Sequence, residues 1–182
     1  MLEKGIFLSE IKEQLIQIAT ETIQKNGVHG LTIRNLGEEV GIKSSSVMYR
    51  FKNKDGLMLE VVKNYNHFFF SHLENIDNTF TNPIEKLEEL ISTLENLLEK
   101  ERLCLCAMLA CEHESLDIET KKETLLFFTT LEKWLEKNVL ELSLDKNLAL
   151  VIVSSIEGAM LIDKLEKRNV RLKSIKQWIK TF

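Results

Sequence analysis

Residues 31–57 read LTIRNLGEEVGIKSSSVMYRFKNKDGL, and the fold is decided there. Thr32 is an N-cap residue in front of a short apolar pattern, Ile33, Leu36 and Val40. Gly41 ends that helix. Gly37 falls on the apolar face, where a missing side chain permits close backbone approach. A second short helix begins at Lys43 or Ser44 and runs to about Arg50, with Val47 and Phe51 as an inward i, i+4 pair. Asn53 is the next N-cap candidate, and Asp55 sits in the first turn, where the helix dipole favours a negative charge. Two short helices about a glycine-containing turn make a helix-turn-helix, whose second helix enters the DNA major groove.

Charge agrees locally. The chain of 182 residues carries 24 basic and 28 acidic groups, a net of −4, which by itself argues against a nucleic-acid partner. Residues 1–63, however, hold nine basic and eight acidic groups, a net of +1. The remaining 15 and 20 leave residues 64–182 at −5. Between Val40 and Lys54 lie Lys43, Arg50, Lys52 and Lys54 and no acid.

Outward from this stretch the pattern is helical almost throughout. One proline and seven glycines are too few for a sheet protein, so the expected class is all-α, with about nine helices. Residues 8–26 place Ile11, Leu15, Ile18 and Ala19 on one face, and Asn26-Gly27 is a stop signal. A long helix over about 54–75 carries Leu57, Val61, Tyr65 and Phe68 as a stripe; 76–82 reads as a turn, and Pro83 suits a helix N1 position. Further helices are expected over 84–100, 103–112, 117–140, 145–167 and 172–181. No linker is visible, and the best boundary, after about residue 60, divides the chain into 1–60 and 61–182.

The run from Gly27 and Gly30 through Thr32, Leu36-Gly37, Gly41-Ile42, Tyr49, Phe51, Lys54 and Leu57 resembles the DNA-binding region of the TetR family of transcriptional repressors. The resemblance covers about residues 8–60. Met48, Arg50 and Lys52-Asn53 stand where the most similar members have His, His and Pro-Thr; the inward Val47 and Phe51 are untouched. The resemblance implies an N-terminal three-helix DNA-binding domain and a C-terminal helical domain for dimerisation and ligand binding. It also implies that Thr32, Tyr49 and Lys54 hold backbone phosphates, which set register without reading sequence. Base reading falls to Lys43, Ser44, Ser45 and Ser46 at the start of the second helix. Arg34 either touches a phosphate or is simply solvated.

Tight binding normally needs two such units, so a homodimer on a palindromic operator is expected. Leu148 to Leu165 is apolar on more than one face and must be covered on both sides. The expected interface comprises Phe128, Leu131 and Trp134 from one helix and Ile152, Ser155, Gly158, Ala159 and Ile162 from the other. The resemblance further implies an effector pocket beyond residue 60, with Phe68, Cys104, Met108, Cys111, Phe127 and Phe128 as candidate lining.

By count Cys104, Cys106, Cys111 and His113 could hold a metal, but on one helix Cys104 and Cys106 would point about 200° apart. Glu112 and Glu114 would raise a nearby thiol pKa, so the cysteines read as small core residues. His67, His72, Glu74 and His113 make no catalytic set, and no nucleophile elbow, zinc-protease or P-loop motif occurs. No cofactor is called for. The opening MLEKGIFLSEIKEQL breaks any apolar run with charge, so it is not a signal peptide. The longest uncharged apolar run, Asn147 to Ile156, is ten residues, too short to span a membrane. Three cysteines form no disulfide framework, and a cytoplasmic protein is expected. The partners to expect are therefore double-stranded DNA, a second copy of the chain and an unidentified small molecule. The competing reading is an all-helical small-molecule or protein-interaction module that does not bind DNA.

Overall fold

A computed structural model describes the backbone of residues 2–182 and side chains from Glu10 onward. The side chains of the first nine residues, part of the run read above as lacking a signal peptide, lie outside it. Among the described residues there are nine α-helices and no strand.

The first three helices are α1 (Leu2–Asn26), α2 (Ile33–Val40) and α3 (Ser44–Phe51). Thr32 caps α2 as the sequence requires: its hydroxyl oxygen accepts the Asn35 N–H at 3.1 Å. Gly41 closes α2 in the left-handed conformation, φ 72°. Asn53 caps α4 (Lys54–Thr79) by accepting from Gly56 N at 2.8 Å. Leu15, Ala19 and Ile23 of α1, Leu36 of α2 and Val47 and Phe51 of α3 bury their side chains together with Leu57. A core of this kind locks the orientation of α3.

The second part comprises α5 (Pro83–Glu99), α6 (Leu105–Cys111), α7 (Ile118–Glu141), α8 (Leu148–Glu166) and α9 (Arg171–Ile179). Pro83 stands at the start of α5, and Asp117 caps α7. Helix α4 packs on α1 and on α7, so it belongs to both parts and crosses residue 60 without a break.

Several expectations are corrected. The segment 76–82 is not a turn throughout: Ile76 is buried and α4 continues to Thr79. Phe68 does not join the inward stripe; it is 65% exposed, and Phe69 is buried in its place. The periodicity admits either phase, and packing against α7 selects Phe69. Cys104 is not on a helix with Cys106 but at the N-cap of α6, so the angular argument against their sharing an ion does not apply.

Candidate nucleic-acid interface and the sensing core

The turn between α2 and α3 is as tight as a side-chain-free residue allows. A Cβ on Gly37 would lie 2.7 Å from the Ile42 carbonyl oxygen, and the same turn is closed by Ile42 N donating to Gly37 O at 2.8 Å. A second close approach lies between α3 and α4, where a Cβ on Gly56 would collide with the Phe51 carbonyl oxygen. Gly56 received no role from the sequence reading, although a glycine just inside a helix start is the signal that could have found it.

Burial along α3 repeats with helical period. Ser44, Ser45, Met48 and Tyr49 are exposed, Ser46 and Arg50 are half-buried, and Val47 and Phe51 are interior. Tyr49 is 88% exposed, extreme for an aromatic ring. Thr32, Lys43 and Lys54, each at or beside a helix start, are exposed as well. Two basic residues are committed elsewhere. Arg50 folds back along its helix and donates to Ser46 O at 2.8 Å. Arg34 pairs with Glu38 of its own helix at 2.9 Å. Ser46 is therefore the least available of the expected base-reading residues.

The two parts are joined by polar contacts that sequence reasoning missed. Glu112, at the end of α6, accepts the Val28 N–H at 2.9 Å and meets His29 at 3.2 Å. Glu112 therefore serves the seam with the head; the acid that raises the thiols is another one. Arg102 pairs with Glu21 of α1 at 2.7 Å. Lys164 of α8 donates to the carbonyl of Lys25 at 2.7 Å, at the C-terminus of α1.

Inside the second part, Phe127 is the centre of an aromatic cluster. Its ring lies 4.7 Å from Phe69, 5.3 Å from Phe128, 5.6 Å from Tyr65 and 6.3 Å from Phe70. Cys104 and Cys106 are fully buried beside it, the Tyr65 hydroxyl 3.9 Å from Cys104 Sγ and Cys106 Sγ 3.8 Å from Asn66 Oδ1. Burial, and then the Glu157 carboxyl of α8, hold both thiols well above their ordinary range. Desolvation in turn raises Glu157 to about 7, against a hydrogen bond with Cys104 that lowers it. Of the expected pocket residues, Cys104, Phe127 and Phe128 thus come together. Met108 lies instead at the seam near Gly27, and Phe68 and Cys111 face solvent.

The interface expectation is likewise redistributed. Leu131, Trp134, Ile152 and Ala159 are buried in the chain's own core, whereas Ile162 is exposed. The outward face of α8 is Val151, Ser154, Gly158, Leu161 and Leu165, spaced 3, 4, 3 and 4, with Leu150, Ser155 and Ile162 beside it. Nothing lies within 4 Å of a Cβ placed on Gly158.

A tight two-helix corner, an outward polar face on its second helix and a locked inward pair define a helix-turn-helix DNA-binding protein. Residues 15–61 match the family model described as Bacterial regulatory proteins, tetR family. Over these residues the chain is similar to transcriptional regulators of the TetR family. It is 30% identical over 79 residues to the HTH-type transcriptional repressor KstR2 of Mycolicibacterium smegmatis, a match covering 43% of this chain and 38% of that one. The chain thus matches about two fifths of that relative's length. An uncharacterized HTH-type transcriptional regulator of Lactococcus lactis is 25% identical over 167 residues, covering 87% of this chain and 85% of its own. A TetR transcriptional regulator from Legionella pneumophila has the same fold, with a TM-score of 0.88 over 93% of this chain and 95% of that one, at 23% identity. No helix of the described residues is long and apolar enough to cross a membrane.

Proposed function

We propose that the protein is a homodimeric repressor that binds a palindromic operator and leaves it when a small-molecule effector binds. Residues 1–60 form the reading head, and 61–182 dimerise and sense. The observation that carries the reading is the exposure pattern of α3: Ser44, Ser45 and Tyr49 outward, Val47 and Phe51 inward. Thr32, Tyr49 and Lys54 hold phosphates, and Lys43, Ser44 and Ser45 read base edges, with Ser46 secondary. Arg34 contributes only once it leaves Glu38. The outward face of α8 supports the dimer, because exposed Val151, Leu161 and Leu165, aligned at heptad spacing with the small Ser154 and Gly158, gain by being covered. Repression is supported by the similarity to KstR2, a transcriptional repressor. DNA as partner supports a cytoplasmic location.

Effector release requires that the ligand bind the DNA-competent and DNA-incompetent states with different affinity. The contacts of Glu112, Arg102 and Lys164 with α1 and its following turn give such a difference a route to α3. Gel-shift with the DNA upstream of the protein's own gene tests the reading: a salt-sensitive complex containing two copies of the chain is expected. Absence of any complex at ~50 mM salt would leave the protein a helical ligand-binding module instead.

A further inference from the structure

Helix α3 carries few groups that choose between base edges by hydrogen bonding. Its exposed residues before Tyr49 are Ser44, Ser45 and Met48. A serine hydroxyl both donates and accepts, so it takes either kind of edge. One side chain on the helix has a fork of donors, Arg50, and its Nη1 is given to Ser46 O at 2.8 Å. Asn, Gln, Asp and Glu, the other selective readers, do not occur between Ser44 and Phe51. Lys43 at the N-cap remains as a donor toward guanine. Hydrogen bonds from α3 itself therefore leave most of the choice of base unmade.

Met48 supplies what the serines lack. It is 37% exposed, and among the described side chains of residues 10–60 only Met48 and Tyr49 are large, apolar and exposed. Apolar residues scattered singly on a surface need no reason, but these two are neighbours on the helix assigned to the groove. They suit different work. Tyr49 ends in a hydroxyl that can donate to a phosphate, whereas the Met48 thioether has no donor at all. Met48 follows Ser44 by four residues and Ser45 by three, so the three share a face. A long helical side chain leans toward the N-terminus over the preceding turn, which directs the thioether toward those serines, at the base-reading start of α3. On base edges in the major groove the apolar group is the thymine C5-methyl. We infer that Met48 determines operator specificity by packing on a thymine methyl, so that each half-site carries a thymine at that step. The inference rests on the proposed DNA-binding function and adds to it the base that α3 selects. An unbranched, flexible thioether is suited to follow a methyl group whose position shifts with local DNA shape.

The test uses the full chain and duplex DNA selected by it from a random library. The selected half-site should contain an invariant thymine. Met48→Ala should select the same site with that position relaxed, and Met48→Leu should keep the thymine. Deoxyuridine in place of that thymine removes the methyl and leaves the pairing edge unchanged. With the unaltered protein this replacement should weaken binding about fourfold in one half-site and about 15-fold in both, the worth of one buried methyl per half-site. With Met48→Ala it should change affinity by less than about twofold, which isolates the pair. The deoxyuridine measurement on the unaltered protein stands even where Met48→Ala loses stability. Indifference of the unaltered protein to deoxyuridine at every thymine of the site overturns the inference, as does a Met48→Ala protein as sensitive as the parent. Either result leaves DNA binding itself intact. A chain that enriches no sequence at ~50 mM salt refutes the proposed function, and the role of Met48 falls with it.

Discussion

Helices α3 and α8 each present an outward face, and the two faces are opposites. That of α3 is Ser44, Ser45, Met48 and Tyr49, largely polar; that of α8 sets Val151, Leu161 and Leu165 around the small Ser154 and Gly158 and is largely apolar, with Leu165 84% exposed. A polar face rests in water between binding events and exchanges its hydrogen bonds with a partner at little net gain. An apolar face does not rest, and each leucine covered contributes about 1.5–3 kcal/mol. In the proposed function, the difference separates a partner met transiently, the operator, from one kept permanently, a second copy.

The sharpest way to break this comparison is to make the second face like the first. Leu161→Glu together with Leu165→Glu should convert the dimer to a monomer in sedimentation and weaken operator binding by at least about 100-fold, since a single head buries little DNA surface. A dimer that survives would place the interface elsewhere. Next in size is the core behind that face. Glu157 has its carboxyl raised from 4.5 to about 7, so the folded state prefers it neutral. The stability this neutral form provides is fully present below about pH 4.5 and is lost progressively as pH rises to about 7. Glu157→Gln should therefore match the parent in acid and exceed it at pH 8 by on the order of 3 kcal/mol. Equal melting temperatures at pH 8 would show that the carboxyl is solvated.

In the reading head, Gly37→Ala should cost about 1–3 kcal/mol by forcing Ile42 O away, and DNA affinity should fall while the dimer remains. A variant that binds DNA normally would mean that the turn relaxes. Smallest are the contacts of the polar face itself. Tyr49→Ala and Lys54→Ala should each cost about 1–2 kcal/mol in operator affinity. Lys54→Ala should also lower the salt slope by about one phosphate contact. Unchanged slopes would remove Lys54 from the interface.

The two regions also differ in how far they could be read in advance. The head announces itself because its structure is local. Thr32, Gly41 and Asn53 act within four residues, so their chemistry appears in order along the chain. In the second part the decisive contacts join residues far apart in sequence, such as Glu112 with Val28 and Cys104 with Glu157. Periodicity found its helices but not which residues the chain buries for itself. Phe68 was given to the interior, and Leu131, Trp134, Ile152 and Ala159 to the surface between subunits. A helix apolar on two sides says that both must be covered and not which side the chain covers for itself.

By itself, then, the sequence determined an all-helical chain with a glycine-closed corner, capped helices and a locally basic reading surface, because caps, turns and charge act over one or two helical turns. Tertiary structure alone decided which of Phe68 and Phe69 turns inward and which row of α8 is left bare. It also brought Arg102 against Glu21 of α1, far from it in the chain. Burial and hydrogen-bond satisfaction are properties of packed neighbours, and those neighbours come from helices distant in sequence.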